Sequence, residues 1–266
     1  MVTVRRRLSV LVADDDAVSL TLTGRILERA GHGHVLVRDG EAALDALVQA
    51  RYDLAILDIN MPGIDGLEVA RIHRAMTLAR SAPATRFVAL TADATPDALA
   101  RSEEAGMARC IAKPVRAHVL LELIDQAMAT TDAAPEALAA CRLEETPTDD
   151  PVIDIHQVAR LRELDPSDAF LDGLLSLFAR DAEAALARLD RAVAHGDLAD
   201  AKQALHQIAS AGSNLGAKRL SALCNCLSRQ DPNILSRSGP DWTHDVRLAV
   251  RDFQHEAGTI PHTSSP

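Results

Sequence analysis

Five times in the first half of the chain, a short run of β-branched and aliphatic residues gives way to a stretch with helical spacing. No other feature of the sequence limits the fold so tightly. The strand-sized runs fall at 8–13, 34–37, 54–57, 87–90 and 109–112. The helical stretches follow at 18–30, 41–50, 67–76, 96–105 and 115–128, with Gly31 and Gly106 placed as stops. Asn60-Met61-Pro62-Gly63-Ile64-Asp65-Gly66 reads as a turn between the third run and its helix. Repeated βα units imply a parallel sheet with helices on both faces, an α/β doubly wound domain. Such sheets bind ligands beyond the carboxyl ends of their strands, so the polar residues that end each run become candidates for one site.

The pattern changes after residue 129. Thr, Ala, Asp, Glu and Pro dominate 130–151, with Pro135, Pro147 and Pro151 as punctuation, and this stretch is assigned as a linker that holds at most one short helix over 136–143. From 152 onward only helical periodicity remains. Phe170, Leu174, Leu177 and Phe178, then Leu186, Leu189 and Val193, form apolar stripes that stop at His195-Gly196. Further helices are expected over 198–215 and 220–227. A turn is expected at 236–240, and a last amphipathic helix carries Trp242, Val246, Val250 and Phe253. The expected organisation is an α/β domain over 6–129, the linker, an all-α bundle over 152–254 and a disordered tail over 255–266.

Charge and composition narrow the function classes. A net charge of −10 and 2% aromatic residues speak against nucleic acid as a partner, because counterion release needs a basic face and base stacking needs aromatic rings. The longest apolar runs are strand-sized, so no membrane span and no signal peptide are expected, and the cytoplasm is the expected location. Cys110, Cys141, Cys224 and Cys226 lack metal-ligand spacing and read as reduced, mostly buried thiols.

Asp14, Asp15 and Asp16 follow the first strand and Asp58 ends the third. Thr91 ends the fourth and Lys113, with Pro114 behind it, ends the fifth. Converging carboxylates repel one another unless a cation lies among them, and hard oxygen ligands suit Mg²⁺. With Lys113 as a fixed charge and Thr91 as a hydroxyl donor, the edge becomes an anion-receiving site around a carboxylate nucleophile. Val10-Leu11-Val12-Ala13-Asp14-Asp15, the stretch from Leu57-Asp58 to Asp65-Gly66, Leu90-Thr91-Ala92 and Lys113-Pro114 together resemble the receiver domain of two-component response regulators. That resemblance implies a flavodoxin-like five-stranded parallel sheet, with Asp58 accepting a phosphoryl group. It also implies Mg²⁺ held by Asp14, Asp15, Asp58 and the backbone carbonyl of Asn60, with Thr91 and Lys113 contacting phosphoryl oxygens. The family usually carries Tyr or Phe three residues before the lysine, where this chain has Cys110.

Of the ten histidines, His206 stands apart. It lies off the inward stripe of Leu198, Ala201, Leu205, Ile208, Gly212 and Leu215, among Lys202, Gln203, Ala209, Ser210 and Ser213. Those neighbours are expected to leave the imidazole standing clear. The run Ala204-Leu205-His206-Gln207-Ile208-Ala209-Ser210-Ala211-Gly212-Ser213-Asn214-Leu215-Gly216-Ala217 resembles the histidine phosphotransfer (HPt) domain, which implies that His206 carries phosphoryl. The family's lysine three residues on is Ala209 here, and its glycine four residues on is Ser210. His156, His195 and His244 are expected at the surface.

The reading that follows is a phosphorelay protein. A partner sensor histidine kinase supplies Asp58, His206 exchanges phosphoryl with a receiver, possessed by this chain or by a downstream protein, and self-dephosphorylation is slow. No glycine-rich nucleotide site marks a kinase. Two rivals are a docking-only module, suggested by Cys110 and Ala209, and a metal-dependent aspartyl-nucleophile phosphatase. The second is disfavoured because Asn60 stands where that chemistry needs a second acid.

Overall fold

The structure is a computed structural model, and it describes residues 7–78, 85–91, 96–129, 151–230 and 241–261. It divides into two compact units, Met1–Leu143 and Glu144–Pro266.

In the first unit, five strands alternate with five helices. These are β1 (Ser9–Ala13), α1 (Ala17–Arg29), β2 (Gly33–Val37), α2 (Gly40–Gln49), β3 (Leu54–Asp58), α3 (Gly66–Leu78), β4 (Arg86–Thr91), α4 (Pro96–Glu104), β5 (Arg109–Ala112) and α5 (Ala117–Ala129). All pairings are parallel, in the order β2-β1-β3-β4-β5. Strand β3 is buried at every position from Leu54 to Asp58, as a central strand covered on both faces must be. The edge strand β2 leaves Val35 and Leu36 exposed. Order reverses between β1 and β3, so the ends of these two strands flank the crevice where such sheets hold ligands.

Local chemistry sets where the helices start. Asp16 caps α1 by accepting from the Val18 N–H at 3.0 Å, and Asp39 caps α2 by accepting from the Ala42 N–H at 2.7 Å. Gly66 opens α3 so close to β3 that a Cβ there would lie well inside contact with the Asp58 carbonyl oxygen. Asp58 and the first turn of α3 are thereby locked together.

The second unit is helical: α6 (Ile155–Leu164), α7 (Asp168–His195), α8 (Leu198–Leu215), α9 (Lys218–Arg229) and α10 (Asp241–Ala257). Gly196 and Gly216 end α7 and α8 with φ of 70° and 86°, a conformation that costs glycine little. Phe178 and Phe253 meet edge to face, 5.1 Å between centroids, where α7 packs on α10.

Three expectations need correction. Helix α6 had not been singled out. It buries only Gln157, Val158 and Leu161, too few for a visible stripe, and is secured by its Asp154 cap and by Gln157 donating to the Asn214 carbonyl at 2.9 Å. The disordered tail expected from 255 is ordered at its start: α10 runs to Ala257, which is buried, and Arg162 donates to the Pro261 carbonyl. Among the described thiols only Cys224 is buried; Cys110 is half-buried and Cys226 is exposed. The expected linker and its short helix, together with the turn at 236–240, lie outside the described residues.

Candidate functional site

The carboxyl edge of the sheet gathers the acidic residues by construction. Asp14 follows β1, its N–H donating to the Val37 carbonyl at 3.2 Å, and Asp58 is the last residue of β3. Asp14, Asp15 and Asp58 each place a carboxylate oxygen within 4.8 Å of the others. Asp14 and Asp58 are fully buried and Asp15 is half-buried.

Lys113 ties this group together. Its N–H donates to the Thr91 carbonyl at 2.7 Å, which sets the residue one position beyond β5. Its Nζ reaches Asp58 Oδ2 at 2.6 Å and Asp14 Oδ2 at 2.8 Å, with the lysine itself buried. The peptide bond to Pro114 is cis. Burial alone would pull the ammonium pKa down, but Asp14, Asp58 and Asp16 together hold it above its ordinary value. Asp14 is raised, chiefly by burial, against the opposing charge of Lys113. Asp16 is pushed up to about 7 by burial and then by the Asp14 charge.

The remaining bonds orient the carboxylates. Asp58 Oδ1 accepts from the Asn60 N–H at 2.9 Å, leaving the Asn60 side chain exposed. Asp14 accepts from the Asp16 N–H at 3.0 Å and from Ser19 Oγ at 2.6 Å. Ser19 is a site residue that the sequence reading missed. Its signal was the Asp16-x-x-Ser19 spacing at the helix start, which brings a third-position hydroxyl back over the preceding loop. Thr91 is buried at the end of β4, beside Ala112 in the ladder. The site therefore brings together Asp14, Asp15, Asp58 and Lys113, with Thr91 and Asn60 at the adjoining strand end and loop. Three carboxylate oxygens beside one ammonium are a donor set that fits a hard divalent cation.

His206 sits midway along α8, whose buried stripe includes Ala201, Leu205, Ile208, Gly212 and Leu215 as expected. The imidazole does not stand clear. The residue is half-buried, and Nε2 is enclosed without a hydrogen-bond partner. Helical side chains lean toward the N-terminus, and for His206 that is the direction of the turn bearing Lys202 and Gln203. Small neighbours at 209, 210 and 213 do nothing to hold it out. A buried nitrogen with no partner calls for an explanation, and a site that acquires its partner in a reaction is one. His156, His195 and His244 are exposed as expected.

The sequence reading also missed Arg188 of α7. It donates to Asp200 Oδ1 at 2.7 Å, to Gln203 Oε1 at 3.0 Å and to Gln207 Oε1 at 3.3 Å, clamping the polar flank of α8 beside His206. Nothing local to residue 188 signals this, since the partners are on another helix.

Comparison with known proteins defines the class. Residues 10–125 match the family model of the response regulator receiver domain, and residues 173–244 match that of the Hpt domain. The chain thus belongs to the two-component signalling proteins, as a receiver domain followed by an Hpt domain, the two domain types of phosphorelay signalling. It is 31% identical over 218 residues to the sensory/regulatory protein RpfC of Xanthomonas campestris pv. campestris, an alignment covering 82% of this chain and 30% of RpfC. It is 30% identical over 219 residues to the virulence sensor protein BvgS of Bordetella bronchiseptica, covering 80% of this chain and 17% of BvgS. The chain thus spans less than a third of the length of either relative. The chemotaxis response regulator CheY4 of Vibrio cholerae is 25% identical, with a TM-score of 0.43 over 46% of this chain and 99% of that one. No helix among the described residues is long and apolar enough to cross a membrane.

Proposed function

We propose that Asp58 accepts a phosphoryl group from the phosphohistidine of a partner sensor histidine kinase, and that His206 carries phosphoryl to or from a receiver. The observation that carries this reading is the buried Lys113 ammonium seated between Asp14 and Asp58 at the sheet's carboxyl edge. A carboxylate held this way keeps its nucleophilic oxygen beside a fixed positive charge, and the match to an Hpt domain supports the reading of a second acceptor in the same chain.

In the forward step, an Asp58 oxygen forms the O–P bond while the N–P bond of the donor phosphohistidine breaks, its electron pair returning to the imidazole. Lys113 offsets charge on the phosphoryl oxygens, and the buried Thr91 at the neighbouring strand end supplies a hydroxyl. A bound Mg²⁺, held by Asp14, Asp15, Asp58 and the Asn60 carbonyl, would supply the remaining positive charge. At His206, a ring nitrogen takes phosphoryl through its lone pair, the P–O bond of a phosphoaspartate breaks to release carboxylate, and the other ring nitrogen keeps its proton. We place this activity in the cytoplasm, where two-component partners and reduced thiols are found together. A docking-only role is the second reading, and Ala209 standing where Hpt sequences carry a lysine is what favours it.

Beryllium fluoride, which mimics a phosphoryl group on a carboxylate, tests the first site. With Mg²⁺ it is expected to raise the melting temperature of the wild type and of His206→Gln, and to leave Asp58→Asn unchanged. No rise in the wild type would contradict the assignment of Asp58.

A further inference from the structure

If His206 carries phosphoryl, the group needs a cationic neighbour, and the lysine that related Hpt sequences place three residues later is absent. The structure shows why position 209 cannot serve. Ala209 is buried, and its carbonyl accepts from Ser221 Oγ of α9 at 3.0 Å, so that side of α8 is closed by the neighbouring helix.

Arg188, Lys218 and Lys202 are cations on or near α8, and they are not equivalent. Arg188 is already committed: its guanidinium pairs with Asp200 at 2.5 Å and also holds Gln203 and Gln207. Lys218 is exposed and lies beyond the Gly216 turn, at the first residue of the next helix. Lys202 differs from both. It lies four residues before His206 on the uninterrupted helix Leu198–Leu215, so the two side chains share a face. It is half-buried, and it makes no hydrogen bond or ion pair among the described residues. Helical side chains lean toward the N-terminus, which for His206 is the direction of the turn that bears Lys202. A half-buried lysine with no carboxylate partner among the described residues, one turn from an enclosed and unpartnered imidazole nitrogen, is the pair that an anion on His206 would complete.

We propose that Lys202 contacts the phosphoryl group on His206 and takes the place of the missing lysine at position 209. This rests on the reading of His206 as the phosphoryl carrier. Lys202 acts as a charge-assisted donor to the phosphoryl oxygens as the N–P bond forms, and it remains paired with them afterwards. Gln203, its Oε1 held by Arg188, leaves its amide N–H₂ as a second donor on the same turn.

The test uses the full chain carrying Asp58→Asn, so that His206 is the acceptor under study. Phosphoramidate is the donor, and acid-labile label is followed with time. Lys202→Met is expected to slow labelling about tenfold, the scale of one charge-assisted hydrogen bond, while helix content by circular dichroism stays unchanged. Lys202→Arg should restore most of the rate, Lys218→Met should label as the parent does, and the ³¹P resonance of the phosphohistidine should shift in Lys202→Met. Labelling of Lys202→Met at the parent rate would overturn the proposal, as would an equal loss in Lys218→Met. Should the parent chain itself take no label on His206, the carrier reading falls and this role for Lys202 falls with it.

Discussion

Lys113 does at the residue scale what the acidic edge cannot do for itself. Asp14 and Asp58 are both fully buried, and Lys113 Nζ lies within 2.8 Å of each. Removing one partner of a buried ionic cluster strands the others, which typically costs about 3 kcal/mol or more. Lys113→Met is therefore expected to lose about that much stability in urea unfolding with chelator present. Mg²⁺ should narrow the gap to wild type by replacing the lost charge, and an undiminished midpoint in chelator would contradict the arrangement. The thiols give a second prediction. Burial pushes Cys224 up to about 12 and Cys110 up to about 11, the latter against a hydrogen bond with Ser102. Both stay neutral and slow to alkylate at pH 8, so iodoacetamide mapped by mass spectrometry should mark the exposed Cys226 ahead of them. The folded state keeps protons that the unfolded chain releases above its ordinary 9.0, so this stability is intact below that pH and drains as pH climbs toward 12. Asp14, Asp15, Asp58 and Lys113 were legible in the sequence because each stands where a strand-sized run ends, and topology does the gathering. The enclosure of the His206 nitrogen was not, since a rotamer answers to packing that no local spacing records.

Contacts between elements decide how firmly the acceptor site is held. At Gly66, a Cβ would press on the Asp58 carbonyl oxygen and come within 3.1 Å of Leu57 Cβ. Gly66→Ala must then push α3 off β3, at a cost of about 2 kcal/mol by chemical denaturation, with weaker Mg²⁺ binding because the Asp58–Asn60 loop moves too. Wild-type stability and metal affinity in that variant would contradict the close approach. In the second unit, the Phe178–Phe253 contact joins α7 to α10. Phe253→Ala should destabilise that unit by about 3–5 kcal/mol, read from its urea transition, and a loss below about 1 kcal/mol would mean the ring is not a core element. The five βα units were readable because strand period and helix period alternate cleanly. Helix α6 was not, because Ile155 is 72% exposed and buried Gln157 takes an inward position where an apolar residue would have announced a stripe. Its legible signal was the cap, Asp154, which accepts from the His156 and Gln157 N–H groups.

The molecule as a whole joins a receiver domain to an Hpt domain, so the two proposed acceptors differ in chemistry, a carboxylate at the edge of a parallel sheet and an imidazole on a helix. The receiver and Hpt matches define that pairing of domains, and the fusion was legible in the sequence through the strand-end residues and the run around His206. What sequence could not supply was the side-chain arrangement: Arg188 paired with Asp200, and Lys202 half-buried one turn before His206. The central claim is that one chain bears both a phosphoaspartate and a phosphohistidine. The most direct measurement incubates the full chain with Mg²⁺, acetyl phosphate and phosphoramidate, then compares acid and alkali stability of the label in wild type, Asp58→Asn and His206→Gln. The account predicts alkali-labile label that disappears in Asp58→Asn and acid-labile label that disappears in His206→Gln. Label that survives both substitutions, or a wild-type chain that takes none, would contradict it.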